Sequence, residues 1–304
     1  MALYIIIHVG AFLSRYIPRR WRYFIGAAIG DAVYLAWSRK RRVLRQNMAI
    51  VLGRDVNDPE VARIARTSMR NYLKYLVEFL ELPVLSPADE RIASMKIHGI
   101  EYLHEALERG KGVILATAHF GTIEVGALRL SRITDFHAVY DTFRPAYLDR
   151  LIQRKRREKG IGLIPVSNVR AMFRVLHDGG TLTLLFDRPL PSDKGVPVRF
   201  FGRETSLPAG PATLALRTGA TIVPAYMMRR PDASFEGVLF PPVEFSCTGD
   251  RERDTAVIMQ KLADTLQTMV RSKPEQWYMF RPMWQDGGAD QLMGMAHPAG
   301  GSPI

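Results

Sequence analysis

One cysteine, Cys247, stands among 304 residues. An internal disulfide and a thiolate metal cluster are therefore impossible, and a fold without covalent staples suits a reducing compartment. Long apolar runs are missing too. Neither apolar stretch near the N-terminus, 3–13 or 23–37, reaches the roughly 20 residues of a spanning helix, and Asp31 interrupts the second. A secretory signal fits poorly, because no early positive region and no small-residue cleavage site frame these stretches. The chain also lacks G-x-S-x-G, the P-loop, G-x-G-x-x-G and H-E-x-x-H. Serine hydrolase, nucleotide phosphohydrolase, dinucleotide oxidoreductase and zinc protease readings thus lose their usual warrant. Disorder over the whole chain is excluded as well, since 47% apolar content is enough to fill the core of one large α/β domain or two small ones.

Acidic residues are scarce in particular places. Lys and Arg number 42 against 30 Asp and Glu, a formal charge of +12, which suggests a polyanionic partner, either nucleic acid or an anionic membrane. Residues 1–47 hold nine basic residues and one acid, Asp31; residues 144–159 hold seven basic residues and two acids. The remainder is near neutral. In the first segment the basic clusters alternate with apolar stretches ending in Tyr16, Trp21, Tyr23, Tyr34 and Trp37. That pattern suits the interface of an anionic bilayer, with a helical hairpin packed on the domain behind a solvated basic rim as the alternative. No nucleic-acid recognition motif accompanies the charge, so no nucleic-acid partner is expected.

Beyond this segment, helix and strand signals alternate. Apolar residues recur at helical spacing over 59–82, where Pro83 ends the run. Short apolar runs at 113–117, 136–140, 162–166, 181–186 and 221–227 read as buried strands. Helix-like segments at 123–130, 146–159, 169–177 and 208–217 separate them, with an added strand or hairpin arm at 235–245 and a closing helix at 254–272. The expected fold is α/β, with a largely parallel or mixed central sheet flanked by helices on both faces and an N-terminal membrane-associated helical segment. Its divisions are 1–47, 48–285 and a disordered tail at 286–304.

The informative stretch is 113–127, VILATAHFGTIEVGA. A strand ends near Thr117, His119 follows at its carboxyl end, Gly121 allows a tight turn, and Glu124 falls in the first turn of the next helix. Ligands bind at this edge of an open α/β sheet. A carboxylate on one imidazole nitrogen fixes the tautomer and leaves the other nitrogen to take a proton from a hydroxyl. Glu124 is placed to be that carboxylate provided His119 precedes the helix. With no Ser or Cys nucleophile alongside, the pair suits direct attack of an acceptor hydroxyl on an activated acyl group. The Asp187-Arg188 pair ends the strand at 181–186 on the same edge, where it could orient the pair, bind an anionic group, or form a strand-end salt bridge.

AHFGTIE at 118–124 resembles the H-x4-[DE] motif of the lysophospholipid acyltransferase superfamily. The likeness is to its lipid A biosynthesis (lauroyl/myristoyl) branch, which also includes the phosphatidylinositol mannoside acyltransferases. Further blocks fall in the family's order: YDTFRP at 140–145 with Leu148, Asp149, Arg156 and Gly160; FDR at 186–188; VRFFG at 198–202; the proline block at 207–224; and PEQWYMFRPMW at 274–284. The resemblance implies a catalytic set of His119 as base with Glu124 and Asp187. Arg144, Arg156, Arg188, Gly202 and Gly210 are the expected substrate contacts, Arg144 and Arg156 through charge-assisted bonds to a phosphate or other acidic headgroup, with a solvated basic face on the helix at 146–159 as the alternative; neither a metal nor a bound cofactor is expected. The implied activity is O-acyl transfer from acyl-CoA or acyl carrier protein to a hydroxyl of a glycolipid or phospholipid. It would take place at the cytoplasmic face of the cell's inner membrane, with the protein held peripherally or monotopically. A catalytically inactive lipid-binding protein of the same fold is the alternative.

Overall fold

The computed structural model describes residues 16–284 except 83, 87, 143, 144 and 191–193. The expectations for 1–15, Arg144 and the tail at 286–304 therefore lie outside the described residues. Three helices lead the chain: α1 (Arg19–Ala36), α2 (Ser38–Leu52) and α3 (Pro59–Glu81). Gly53, in the left-handed region, ends α2. Asp58 caps α3 by accepting from the Glu60 amide, with Pro59 at the first helical position. The inner face of α1 lies directly on α3: a Cβ added at Gly30 would stand 2.8 Å from the Arg70 Cα. Asp31, which breaks the apolar run in sequence, turns inward and binds the Arg66 and Arg70 guanidinium groups at 2.7 and 2.6 Å. Leu44 and Met48 of α2 are fully buried in the main core.

The rest alternates: α4 (Glu90–Ala93), β1 (Lys96–His98), α5 (Ile100–Glu108), β2 (Val113–Thr117), α6 (Ile123–Leu130), β3 (Phe136–Tyr140), α7 (Ala146–Glu158), β4 (Gly162–Pro165), α8 (Val169–His177) and β5 (Thr181–Leu185). A hairpin of β6 (Val196–Phe200) and β7 (Arg203–Leu207) follows, then α9 (Gly210–Thr218), β8 (Thr221–Arg229), β9 (Phe235–Leu239) and α10 (Arg251–Ser272). The central sheet has seven strands in the order β1-β9-β8-β2-β5-β3-β4. From β8 to β4 every pairing is parallel, whereas β9 runs antiparallel to β8 and takes β1 with it. The sheet is therefore mostly parallel, flanked by helices, as the alternating elements imply.

Both faces of the sheet are covered, which explains why its strands read as continuous apolar runs. In β2, Ile114 and Ala116 pack toward one core with Leu262 and Leu266 of α10; Val113 and Leu115 pack toward the other with Leu103 of α5 and Val125 of α6. Phe120, Phe186 and Trp277 belong to the first core, and Leu115, Leu130 and Phe136 to the second. Among the described residues no helix is long and apolar enough to cross a membrane.

Candidate active site

Strand register brings His119 to Asp187. β2 and β5 pair with Thr117 opposite Leu185, and the Phe186 amide extends the ladder to the Thr117 carbonyl at 3.1 Å. Just past these ends, the His119 amide donates to Asp187 Oδ2 at 3.0 Å, and His119 Nδ1 lies 2.7 Å from Oδ1. The Trp277 indole N–H donates to the same Oδ2 at 3.0 Å. Asp187 is fully buried. Burial pushes its carboxyl up, but the His119 charge and the hydrogen bonds from His119 and Trp277 outweigh that and hold it below its ordinary value. An ionised carboxylate only accepts, so the shared hydrogen sits on Nδ1 and Nε2 is left as the basic nitrogen.

The loop carrying His119 is fastened by backbone bonds. Tyr278 N–H donates to the His119 carbonyl at 2.8 Å, Gly121 N–H to the Gln276 carbonyl at 2.8 Å and Thr122 N–H to the Met227 carbonyl at 3.1 Å. At Gly121 φ is 58°, and a Cβ there would fall 1.9 Å from the Met227 oxygen. Only glycine permits this approach.

His119 lines a chamber of about 520 Å³ between the sheet and α3 and α6. Leu76 and Phe79 of α3, Leu115 of β2, Ala127 and Leu130 of α6, and Phe136 at the start of β3 contribute its apolar wall. His119 lies at the carboxyl edge of the sheet and Phe136 at the amino edge, so the chamber runs down the sheet from the imidazole. A base at the head of a long apolar cavity suits a reacting group joined to a hydrocarbon chain.

Residues 1–286 match the family described as bacterial lipid A biosynthesis acyltransferase. The chain belongs to that family and is an acyltransferase acting on lipid. It is 30% identical to a phosphatidylinositol mannoside acyltransferase of Mycolicibacterium smegmatis, over 83% of this chain and 82% of that protein. With the protein of the same name from Mycobacterium tuberculosis it shares 31% identity, over 79% of this chain and 76% of the relative. The lipid A biosynthesis lauroyltransferase of Escherichia coli is 23% identical, over 84% of this chain and 82% of its own.

Within this acyltransferase the expected site residues separate. Glu124 is not the carboxylate on His119. The end of β5 supplies Asp187 to Nδ1, and Glu124, nearly fully buried in the first turn of α6, meets Arg156 of α7 instead. Arg156 Nε donates to Glu124 Oε2 at 3.1 Å, its Nη2 binds Oε1, and its Nη1 donates to Gln153 Oε1 at 3.1 Å. Burial works against the Arg156 charge, but Glu124 outweighs it and the guanidinium is held above its ordinary value. Arg156 therefore lines the chamber already committed to a partner, rather than standing on a solvated basic face. Arg188, next to Asp187, lines the chamber. Gly202 turns the chain between β6 and β7 and Gly210 opens α9; neither lines the chamber.

Lys40, Arg281, Trp277 and Tyr278 also surround the site, and residue-by-residue reading of the sequence misses them as site residues. For Trp277 and Arg281 the only signal is the terminal block at 274–284. Lys40 is hidden among the basic residues of the N-terminal segment.

Proposed function

We propose that this acyltransferase moves a fatty acyl chain from a thioester, acyl-CoA or acyl carrier protein, to a hydroxyl of a membrane glycolipid or phospholipid. The observation that carries this reading is an imidazole held at Nδ1 by a buried carboxylate while its ring opens on an apolar chamber. His119 Nε2 takes the acceptor hydroxyl's proton as the oxygen attacks the thioester carbonyl. The C–O bond forms and the carbonyl electrons move to oxygen. When the tetrahedral intermediate collapses, the C–S bond breaks and Nε2–H returns the proton to the departing thiolate. Asp187 stabilises the imidazolium that exists between the two transfers, while Glu124 and Arg156 hold α6 against α7 and so shape the acyl chamber.

The enzyme works from the cytoplasmic face of the inner membrane, docked through α1. Trp21, Phe24, Ile25, Ile29 and Leu35 lie on the outer side of that helix, each 46–65% exposed, with Arg20, Arg39 and Arg42 exposed nearby. An apolar helical stripe with a cationic rim suits an anionic lipid surface.

The test is acyl transfer in vesicles of extracted bacterial lipid, following thioester consumption and acylated lipid together. The unaltered protein should produce both and His119→Ala neither. Thioester turnover surviving in a folded H119A protein would defeat this mechanism.

A further inference from the structure

The Asp187 carboxylate accepts two hydrogen bonds from His119 and one from elsewhere, the Trp277 indole N–H at 3.0 Å from Oδ2. We infer that Trp277 is a positioning residue for the proton transfer: its N–H fixes the plane of the Asp187 carboxylate, and through it the direction in which His119 presents Nε2. This rests on the acyl-transfer reading above and adds a residue that acts on the base without touching a substrate. Trp277 has no exposed surface and does not line the chamber.

The need for such a residue follows from the carboxylate. The terminal torsion of an aspartate is soft and nearly two-fold, so the side chain does not set its own plane. The ring Nδ1–H on Oδ1 and the amide N–H on Oδ2 both belong to His119, the residue to be positioned, and would move with it. The indole comes from a distant part of the chain. Together with the His119 amide it takes both acceptor directions of Oδ2, which leaves Oδ1 for the ring. Among the described residues no other group donates to this carboxylate.

The indole is itself held from three sides. Gln276, nearly fully buried, accepts from the Arg229 amide at 2.9 Å and donates to the Arg229 carbonyl at 2.7 Å, which latches the segment to the end of β8. Ser68 Oγ of α3 donates to the Trp277 carbonyl at 3.2 Å. Phe200, at the end of β6, meets the indole edge to face at 5.9 Å and is stacked in turn on Trp284 at 5.7 Å. The hairpin of β6 and β7 contributes no described residue to the chamber. Its Phe200 instead backs the side chain that holds Asp187.

W277F removes the N–H and keeps an aromatic ring. Benzothienylalanine in place of Trp277 keeps the two-ring shape with sulfur where the N–H stood, and answers the question if W277F fails to fold. In the vesicle assay with the full chain, each change should lower kcat about ten- to hundredfold with KM within about twofold. In a D187N background the same change should cost less than about twofold, because the group it acts through is gone. A tryptophan that only supports the fold would lower activity equally in both backgrounds; that result, or an unchanged kcat, overturns the proposal. A second readout needs no turnover. In protein carrying isotope-labelled histidine, the low-field Nδ1–H proton of His119, identified by its loss in H119A, should move upfield or broaden in W277F. An unchanged or downfield resonance also overturns the proposal. Absent thioester turnover in the unaltered protein would strike the acyl-transfer reading, whereas the resonance reports on the positioning by itself.

Discussion

Asp187 grips His119 twice, accepting from its backbone amide at 3.0 Å and meeting its ring Nδ1 at 2.7 Å. One buried carboxylate thus sets the position of the loop and the tautomer of the ring together. Trp277, with no exposed surface, closes the third side. The ring can turn only by giving up the bond to Asp187.

Replacing Asp187 with Asn keeps the shape and removes the charge. The amide presents a donor where Nδ1–H needs an acceptor, so the imidazolium loses its support. The expected result is a fall in kcat of about 10²–10⁴, with KM nearly constant, because the group acts on a proton transfer and not on substrate contact. Steady-state kinetics on the vesicle assay measure this split.

The same variant carries the pH test. Asp187 has a folded pKa below its unfolded value, so the folded state binds fewer protons in the window between them. Its stabilisation is full above the ordinary carboxylate pKa of about 3.9 and is lost as pH falls through the depressed folded value. The stability difference between the unaltered protein and D187N should therefore shrink as pH is lowered from about 5 toward 3. Urea unfolding of both proteins at several pH values measures it, and taking the difference cancels other carboxylates such as Asp31.

Breaking the Glu124–Arg156 pair should damage the fold as well as activity. E124A and R156A each strand a buried charge, and each is expected to cost about 3–5 kcal/mol in unfolding free energy. A paired E124M/R156M change removes both charges and should recover most of that stability. If E124A left stability unchanged and abolished turnover, Glu124 would have a direct chemical role.

Gly121→Ala should be among the most damaging single-methyl additions. The residue has φ 58°, and the added carbon would collide with the Met227 oxygen. The loop would have to move, carrying His119 with it. Activity should drop along with melting temperature, read by thermal unfolding and by the same assay.

Phe24 and Ile29 are exposed on the outer face of α1. F24E with I29E should change stability by less than about 0.5 kcal/mol per site, since neither packs on the core. Flotation with vesicles rich in anionic lipid should nevertheless fall sharply. Undiminished flotation would remove α1 from the membrane contact.

Much of the architecture was legible because it depends on local repetition. Runs such as 113–117 and 181–186 are apolar because their strands are covered on both faces, and 59–82 repeats at the helical period because one side of α3 packs inward. The sheet's parallel middle follows from strands alternating with helices. The three-residue β1 and the four-residue α4 left no such trace, since one turn or one short strand sets no period. The reversed β1 and β9 edge was equally silent: direction within a sheet depends on which neighbour a strand meets.

The site divides in the same way. From the sequence alone came the basic histidine just beyond a strand, the five further blocks that identify the family, and the location of the positive charge. Which carboxylate serves that histidine was a tertiary decision. Glu124 is five positions away and faces Arg156; Asp187 is 68 positions away and adjoins His119 because β5 is laid beside β2. Lys40 and Phe280, 240 positions apart, touch only because α2 and the C-terminal segment pack together. Spacing along a chain reports what a helix or strand does over a few residues. Pairing between distant strands is chosen by the whole core, and that choice placed the carboxylate on the base.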